Sequence, residues 1–285
     1  MSTREFLAAW EELSPIQREA VEWDEGPLLV LAGPRAGNTR VVICRIARLL
    51  DSTPDKKFRI IGLTFNDRVI HEIKSSVTNF VPRQVHRLFL GTFDSFCADV
   101  LRQHGTHIKI NPNVRIYAED IDLQAILNDA VEKAKKRSNL VSDLDKTTLP
   151  VIQRLKSLLI LPEQSGEMFV DQRFAERMAV VYPAYEAELA ERNALDFNSL
   201  ILKAYQLFTK FPVLAKRYRM VYSYICIYQF QKITFAQYRL LRAITGNQYR
   251  NLFMLADDEQ MIYQWDEGKR IMDFRNDYSP RVIQL

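Results

Sequence analysis

Residues 27–43 of this 285-residue chain, PLLVLAGPRAGNTRVVI, constrain its fold more than any other stretch. Leu28, Leu29, Val30 and Leu31 make a short apolar run, the pattern of a buried strand. A glycine- and proline-bearing turn follows at Gly33, Pro34 and Gly37. Val41, Val42, Ile46, Leu49 and Leu50 then recur at helical spacing, so the spacing predicts a helix over 40–50. A strand, a glycine loop and a helix in that order place backbone N–H groups around one point, where an anion is favoured. In the usual phosphate-loop pattern, G-x-x-x-x-G-K-[ST], the Lys reaches the phosphates and the hydroxyl holds Mg²⁺. Here the pattern runs Ala32, four further residues, Gly37, Asn38 and Thr39. The second glycine and the hydroxyl are in place, and Asn38 stands at the lysine position. Taken alone, the stretch fits an ordinary strand-to-helix turn at least as well as a phosphate loop.

Bulk properties bound the rest. The length allows one or two domains with a substantial core. With 47% hydrophobic and 26% charged residues, the composition is that of a globular protein. No apolar run reaches the ~18 residues of a membrane span, and Met-Ser-Thr-Arg-Glu at the start lacks the apolar core of a signal peptide. Cys44, Cys97 and Cys226 have no metal-ligand spacing and read as small buried hydrophobes of a reducing, cytoplasmic setting. The net charge of +4 permits nucleic-acid binding without requiring it.

Ser14-Pro15-Ile16-Gln17 reads as a capping box at a helix start. Strands are predicted at 58–64, near 88–92, at 224–228 and at 251–256. In an open parallel sheet, ligands sit beyond the carboxyl ends of strands. That places Phe65, Asn66, Thr92 and Phe93 near a ligand. Residues 119–137, 147–160 and 170–191 read as long helices. Lys133, Lys135, Lys136, Arg137, Lys146, Arg154 and Lys156 make this region basic, either to meet phosphates or as solvated helix ends. Asp196 reads as the cap of the helix that carries Leu200, Ile201, Ala204 and Leu207.

Several stretches recur in a telling order: Leu13 to Val21, the loop at 32–39, Leu63 to Arg68, and Gly91 to Ala98. They are followed by Asn193 to Phe197, Tyr228 to Lys232, and Asp257 to Trp265. In order and spacing they resemble the motifs of the UvrD/PcrA/Rep family of superfamily 1 DNA helicases, over nearly the whole chain. The resemblance implies a RecA-like (P-loop NTPase) α/β fold, a parallel sheet flanked by helices with an all-helical inserted subdomain. Its first part would span 1–109, the helical 1B-like insertion 110–191 and its second part 192–285. The chain ends before the family's asparagine-tyrosine-arginine motif, so the second RecA-like domain is expected to be absent.

The resemblance also implies site residues. Nucleotide would be held by Gln17 (on adenine), Gly33, Arg35, Gly37, Asn38, Thr39, Arg40 and Gln260 (at the γ-phosphate). Single-stranded DNA would be held by Phe65, Asn66, Thr92, Phe93, Tyr263 and Trp265. The family ends its 224–228 strand in D-E-F-Q-D, where Asp holds Mg²⁺ through water and Glu activates the attacking water. Here the residues are Tyr228, Gln229, Phe230, Gln231 and Lys232. Both Walker motifs are therefore degenerate, with no catalytic residue intact and Thr39 as the sole remaining metal ligand. Arg35 either replaces the lost lysine charge or blocks phosphate approach. The expected function is a UvrD-like helicase N-terminal domain, defective in ATP hydrolysis, that binds single-stranded DNA in a DNA-repair setting. ATP would bind weakly at most, and Mg²⁺ would fit poorly. Two alternatives stay open: the ATP-binding half of an active 3′–5′ helicase that pairs with a second motor domain, and a scaffold that binds a protein partner. The expected location is the cytoplasm, on the nucleoid in a bacterium, and no membrane partner is implied.

Overall fold

The computed structural model describes residues 3–33, 36–52, 58–136, 147–257 and 267–285. In chain order the first elements are α1 (Arg4–Glu11), α2 (Pro15–Glu22), β1 (Leu28–Leu31), α3 (Asn38–Asp51), β2 (Arg59–Leu63), α4 (Asp67–Phe80), β3 (Leu88–Gly91) and α5 (Phe93–His104). Then come β4 (Arg115–Tyr117), α6 (Asp120–Lys135), α7 (Thr148–Ser157), α8 (Gln172–Glu191), β5 (Ala194–Asp196) and α9 (Phe197–Lys210). The last are α10 (Pro212–Val221), β6 (Tyr222–Tyr228), α11 (Phe235–Thr245), β7 (Leu252–Ala256), α12 (Glu267–Tyr278) and β8 (Arg281–Gln284). They form two compact units, Met1–Ser95 with Phe211–Leu285, and Phe96–Lys210.

The first unit is a six-stranded sheet in the order β3-β2-β6-β7-β1-β8. Every ladder in it is parallel. Parallel sheets are covered on both faces, so their strands are continuous apolar runs rather than alternating ones. Leu28, Leu29 and Val30, and all five residues of β7, are accordingly buried. α3 lies against this core through Val41, Val42, Cys44, Ile46, Ala47 and Leu50. This is the RecA-like α/β architecture expected from the motifs. Cys44, Cys97 and Cys226 are all buried. Burial pushes the Cys44 thiol up to about 11 and the Cys226 thiol up to about 12, so both stay protonated and unreactive at neutral pH.

Local signals fix the entry to the loop. Ser14 Oγ accepts from Gln17 N–H and Gln17 Oε1 accepts from Ser14 N–H, completing the capping box of α2. At the other end of α2, Arg45 and Arg48 of α3 both donate to the Val21 carbonyl, at 2.7 and 2.9 Å. Both also pair with Asp24. α2 is thus clamped to α3, and Gln17 is held beside the loop that precedes α3.

The second unit packs α6, α7 and α8 around Leu127, Ile152, Met178, Tyr182 and Tyr185. Its bounds are wider than the 110–191 expected for the insertion, because α5 and α9 contribute to it. It also holds a short parallel ladder, with Ile116 opposite Leu195, that three-residue strands left invisible to pattern reading. Asp196 caps α9 as expected, accepting from Ser199 N–H at 2.7 Å. The basic residues of this unit are largely committed internally. Lys133 donates to Glu188 and Glu191, and Lys135 to Glu132. Lys156 is fully buried, hydrogen-bonded to Asp196 at 2.6 Å and Ser199 at 2.8 Å and ion-paired with Glu186 at 2.5 Å. Both readings of Lys156, as a phosphate contact and as a solvated helix end, are therefore corrected: its ammonium is buried beside the rings of Tyr182 and Tyr185. Arg137 and Lys146 lie outside the described residues. Burial works against the Glu186 charge, but Lys156 and Lys203 outweigh it and hold that carboxyl below its usual range.

Removing one partner of a buried ion network leaves the others uncompensated, a loss of about 3–5 kcal/mol. Lys156→Met is expected to destabilise the protein by that amount in urea unfolding. An unchanged midpoint would show that the network is not needed.

Candidate nucleotide and nucleic-acid site

The parallel register sets the stage. Leu31 is level with Ala256, Tyr228 with Leu255, and Leu63 with Ile227. The carboxyl ends of β1, β7, β6 and β2 therefore open onto the same edge of the sheet. The chain leaves β1 with Ala32 N–H bonded to Ala256 O at 3.0 Å, then turns through Gly33 and Ala36 into α3.

Gly37 has φ +76°, a left-handed conformation that favours glycine. A Cβ at this position would lie 2.8 Å from Gln17 Nε2. Among the described residues no side chain caps α3 at its N-terminus. An uncapped helix N-terminus behind a left-handed glycine is a fitting cradle for a phosphate.

The side chains around this cradle bond to one another. Gln17 Nε2 donates to Ala36 O at 2.9 Å, so the glutamine braces the loop as well as its own helix cap. Asn38 Nδ2 reaches back to Gly33 O at 3.4 Å, a long and weak bond, while Asn38 Oδ1 is buried without a partner. The Thr39 hydroxyl lies 3.2 Å from the Tyr228 hydroxyl, across 189 residues of sequence. Gln229 adopts φ +60°, and its Oε1 is also buried without a partner. Gln231 is buried and accepts from Asp257 N–H at 3.1 Å, tying the ends of β6 and β7 together. Phe230 packs edge-on against Phe274 in the core. Lys232 is exposed. Arg40 is exposed and pairs with Glu12 at 2.7 Å.

Metal and nucleotide fit differently here. Mg²⁺ sites are built from one or two carboxylates, phosphates and water. Thr39 meets a neutral phenol instead, and among the described residues no group of three or more His, Cys, Asp or Glu could hold a metal ion. Among the described residues, the Thr39–Tyr228 pair is a poor donor set for Mg²⁺. The uncapped α3 and the Gly37 turn do fit a phosphate.

At the next strand ends, Phe65 is half-buried and its ring lies 5.9 Å from that of Phe93. Phe93 is 2% exposed, so it supports Phe65 from below and presents no face for a base to stack on, contrary to its expected role. Asn66 caps α4 by accepting from Arg68 N–H, and Thr92 accepts from Ser95 N–H at the start of α5. Burial raises the Asp94 carboxyl above its ordinary range, against a backbone hydrogen bond that lowers it. Arg35, Gln260, Tyr263 and Trp265 lie outside the described residues.

The sequence profile of the UvrD/REP helicase N-terminal domain matches residues 13–279. The chain belongs to this helicase N-terminal domain family. As a member of the UvrD/REP family it is similar to the ATP-dependent DNA helicase PcrA of Staphylococcus epidermidis, at 31% identity over 264 residues. It is also similar to the protein of the same name from Staphylococcus aureus, at 30% identity over 264 residues. Each match covers 92% of this chain and 36% of the relative, so this UvrD/REP domain spans about a third of the length of the curated relatives it matches. Among the described residues no helix is long and apolar enough to cross a membrane. Sequence reasoning did not foresee the Gln17–Ala36 brace or the Thr39–Tyr228 pair, because each joins residues that only the folded sheet brings together.

Gly37→Ala is expected to destabilise the fold by about 1–3 kcal/mol through left-handed strain and the Gln17 contact. Measured against Gln17→Ala alone, Gly37→Ala should still cost the strain part, as read by thermal unfolding. No remaining cost on that background would show that the strain is absent.

Proposed function

We propose that this UvrD-type domain binds single-stranded DNA as a non-catalytic module, holding nucleotide weakly and hydrolysing none. The Thr39–Tyr228 hydroxyl pair carries this reading. In phosphate-loop enzymes that loop hydroxyl shares Mg²⁺ with an aspartate, and the reaction depends on the metal, the loop Lys and a group that positions the attacking water. A Tyr228 phenol, an Asn38 amide and a Gln229 amide supply neither metal ligand, phosphate-neutralising cation nor proton acceptor. Groups of this kind act as a unit, so their losses are not additive and one reversion does not restore turnover.

The single-strand surface is proposed to centre on Phe65, backed by Phe93, with Tyr263 and Trp265 adding rings as in the family motifs. Stacking tolerates any base because every base has a π-face. The alternative, the ATP-binding half of an active helicase beside a second motor domain, draws support from the Gly37 turn, which keeps a phosphate cradle.

In fluorescence titrations with oligo-dT, Phe65→Ala is expected to weaken binding roughly five- to a hundredfold, the equivalent of one lost stack at about 1–3 kcal/mol. Unchanged affinity would remove Phe65 from the surface. In a phosphate-release assay with single-stranded DNA and Mg²⁺, no turnover is expected. A rate of ~1 s⁻¹ or more, the range of ordinary enzymes, would favour the active-helicase reading.

A further inference from the structure

We propose that the outward face of α10 is a docking surface for an acidic, amphipathic helix of a partner protein. It is separate from the strand-end site. α10 runs into the amino end of β6 at Tyr222, whereas Tyr228 closes the carboxyl end of that strand.

The two faces of α10 differ in what they meet. Pro212 stands at its first position, which a residue without an N–H suits. Ala215 and Tyr218 turn inward and are buried. The outward face carries Val213, Lys216, Arg217, Met220 and Val221, a spacing that makes one stripe along the helix. The outward stripe of a surface helix is ordinarily polar. Here Val213 is 80% exposed, Met220 67% and Val221 38%. A single exposed apolar side chain needs no explanation, but three on one stripe of a short helix point to a surface that a partner covers. Met220 is unbranched and adapts its shape to what packs on it.

Charge says what kind of partner. The segment from Pro212 to Val221 contains no Asp or Glu. Lys216 and Arg217 are exposed in the middle of the stripe, and among the described residues no carboxylate pairs with either. Arg219, by contrast, turns back and donates to Ile244 O at 2.6 Å. Arg59 adds a third exposed cation at the end of the stripe. It is level with Tyr222 in the β2–β6 ladder, and its guanidinium lies over the Tyr222 ring at 5.6 Å. Cations set among aliphatic side chains are matched by a helix whose apolar ridge is bordered by carboxylates. Single-stranded nucleic acid is the poorer match, because its bases stack on exposed rings. The rings here, Tyr218 and Tyr222, stack on each other at 5.7 Å and are buried.

The test uses a fluorescein-labelled helical peptide of Leu, Ala and Glu, with leucines along one face and glutamates at its borders. It is titrated against the whole chain by fluorescence anisotropy. Saturable binding that weakens as salt is raised is expected, and the same peptide with Lys in place of Glu should not bind. Lys216→Glu with Arg217→Glu should weaken binding of the acidic peptide at least about tenfold. Met220→Ser should weaken it about threefold or more. All three positions are exposed, and circular dichroism verifies that the variants fold. The affinity of the charge-reversed form for oligo-dT should stay within about twofold of wild type. Absence of saturable binding, or peptide binding that either variant leaves unchanged, would overturn the proposal. A comparable loss of oligo-dT binding in the charge-reversed form would also overturn it, by making α10 a nucleic-acid surface.

Discussion

The parallel register of β2, β6, β7 and β1 is the constraint on which the rest of the site depends. Because Leu63 is level with Ile227, Tyr228 with Leu255, and Leu31 with Ala256, four strand ends finish within a residue or two of one another. Thr39 follows one of those ends through the Gly37 turn, and Tyr228 is another. A slip of one residue in β6 would turn Tyr228 to the opposite face of the sheet. The ladder of backbone hydrogen bonds therefore decides which side chains can meet, before the chemistry of those side chains matters. The same register lets Gln231 bond the backbone of Asp257, closing the edge between β6 and β7.

What Thr39 meets there is a second hydroxyl. A hydroxyl pair at 3.2 Å contributes about 0.5–1.5 kcal/mol to stability as an ordinary hydrogen bond. Enzymes lower barriers by about 8 kcal/mol or more, largely through charges held in place before the reaction. The interactions visible around the loop are of the first kind. Gln17 braces Ala36, Asn38 reaches weakly to Gly33, and Arg40 pairs outward with Glu12. Each holds the loop in shape, and none supplies the charge that phosphoryl transfer requires. The clamp of Arg45 and Arg48 on Val21 and Asp24 has the same structural character.

The parts of this protein legible in its sequence are those where local pattern and final environment agree. The apolar run at 28–31 reads as a buried strand because both sheet faces are covered. Ser14 with Gln17, and Asp196 before α9, read as caps because the partners lie three residues away. The features that stayed hidden depend on distance in sequence. Nothing near Tyr228 shows that its hydroxyl faces Thr39. Phe93 and Phe65 look alike as strand-end aromatics, and only packing buries the first. Lys156 sits in a basic region and reads as surface, yet its partners Glu186 and Asp196 come from other elements and draw it into the core. Three-residue strands such as β4 and β5 carry too few positions for a period to show.

The central claim is that Tyr228 has replaced a cation ligand and leaves the Thr39 hydroxyl without a metal to hold. Mn²⁺ substitutes for Mg²⁺ at oxygen sites and is read directly by electron paramagnetic resonance. The most direct measurement is a Mn²⁺ titration of the protein with saturating nucleotide, beside a form carrying Asn38→Lys, Tyr228→Asp, Gln229→Glu and Lys232→Asp. The account predicts that the wild-type protein binds no more Mn²⁺ than free nucleotide does, and that the substituted form gains one protein-bound ion. A protein-bound Mn²⁺ in the wild type, lost on Thr39→Val, would contradict it.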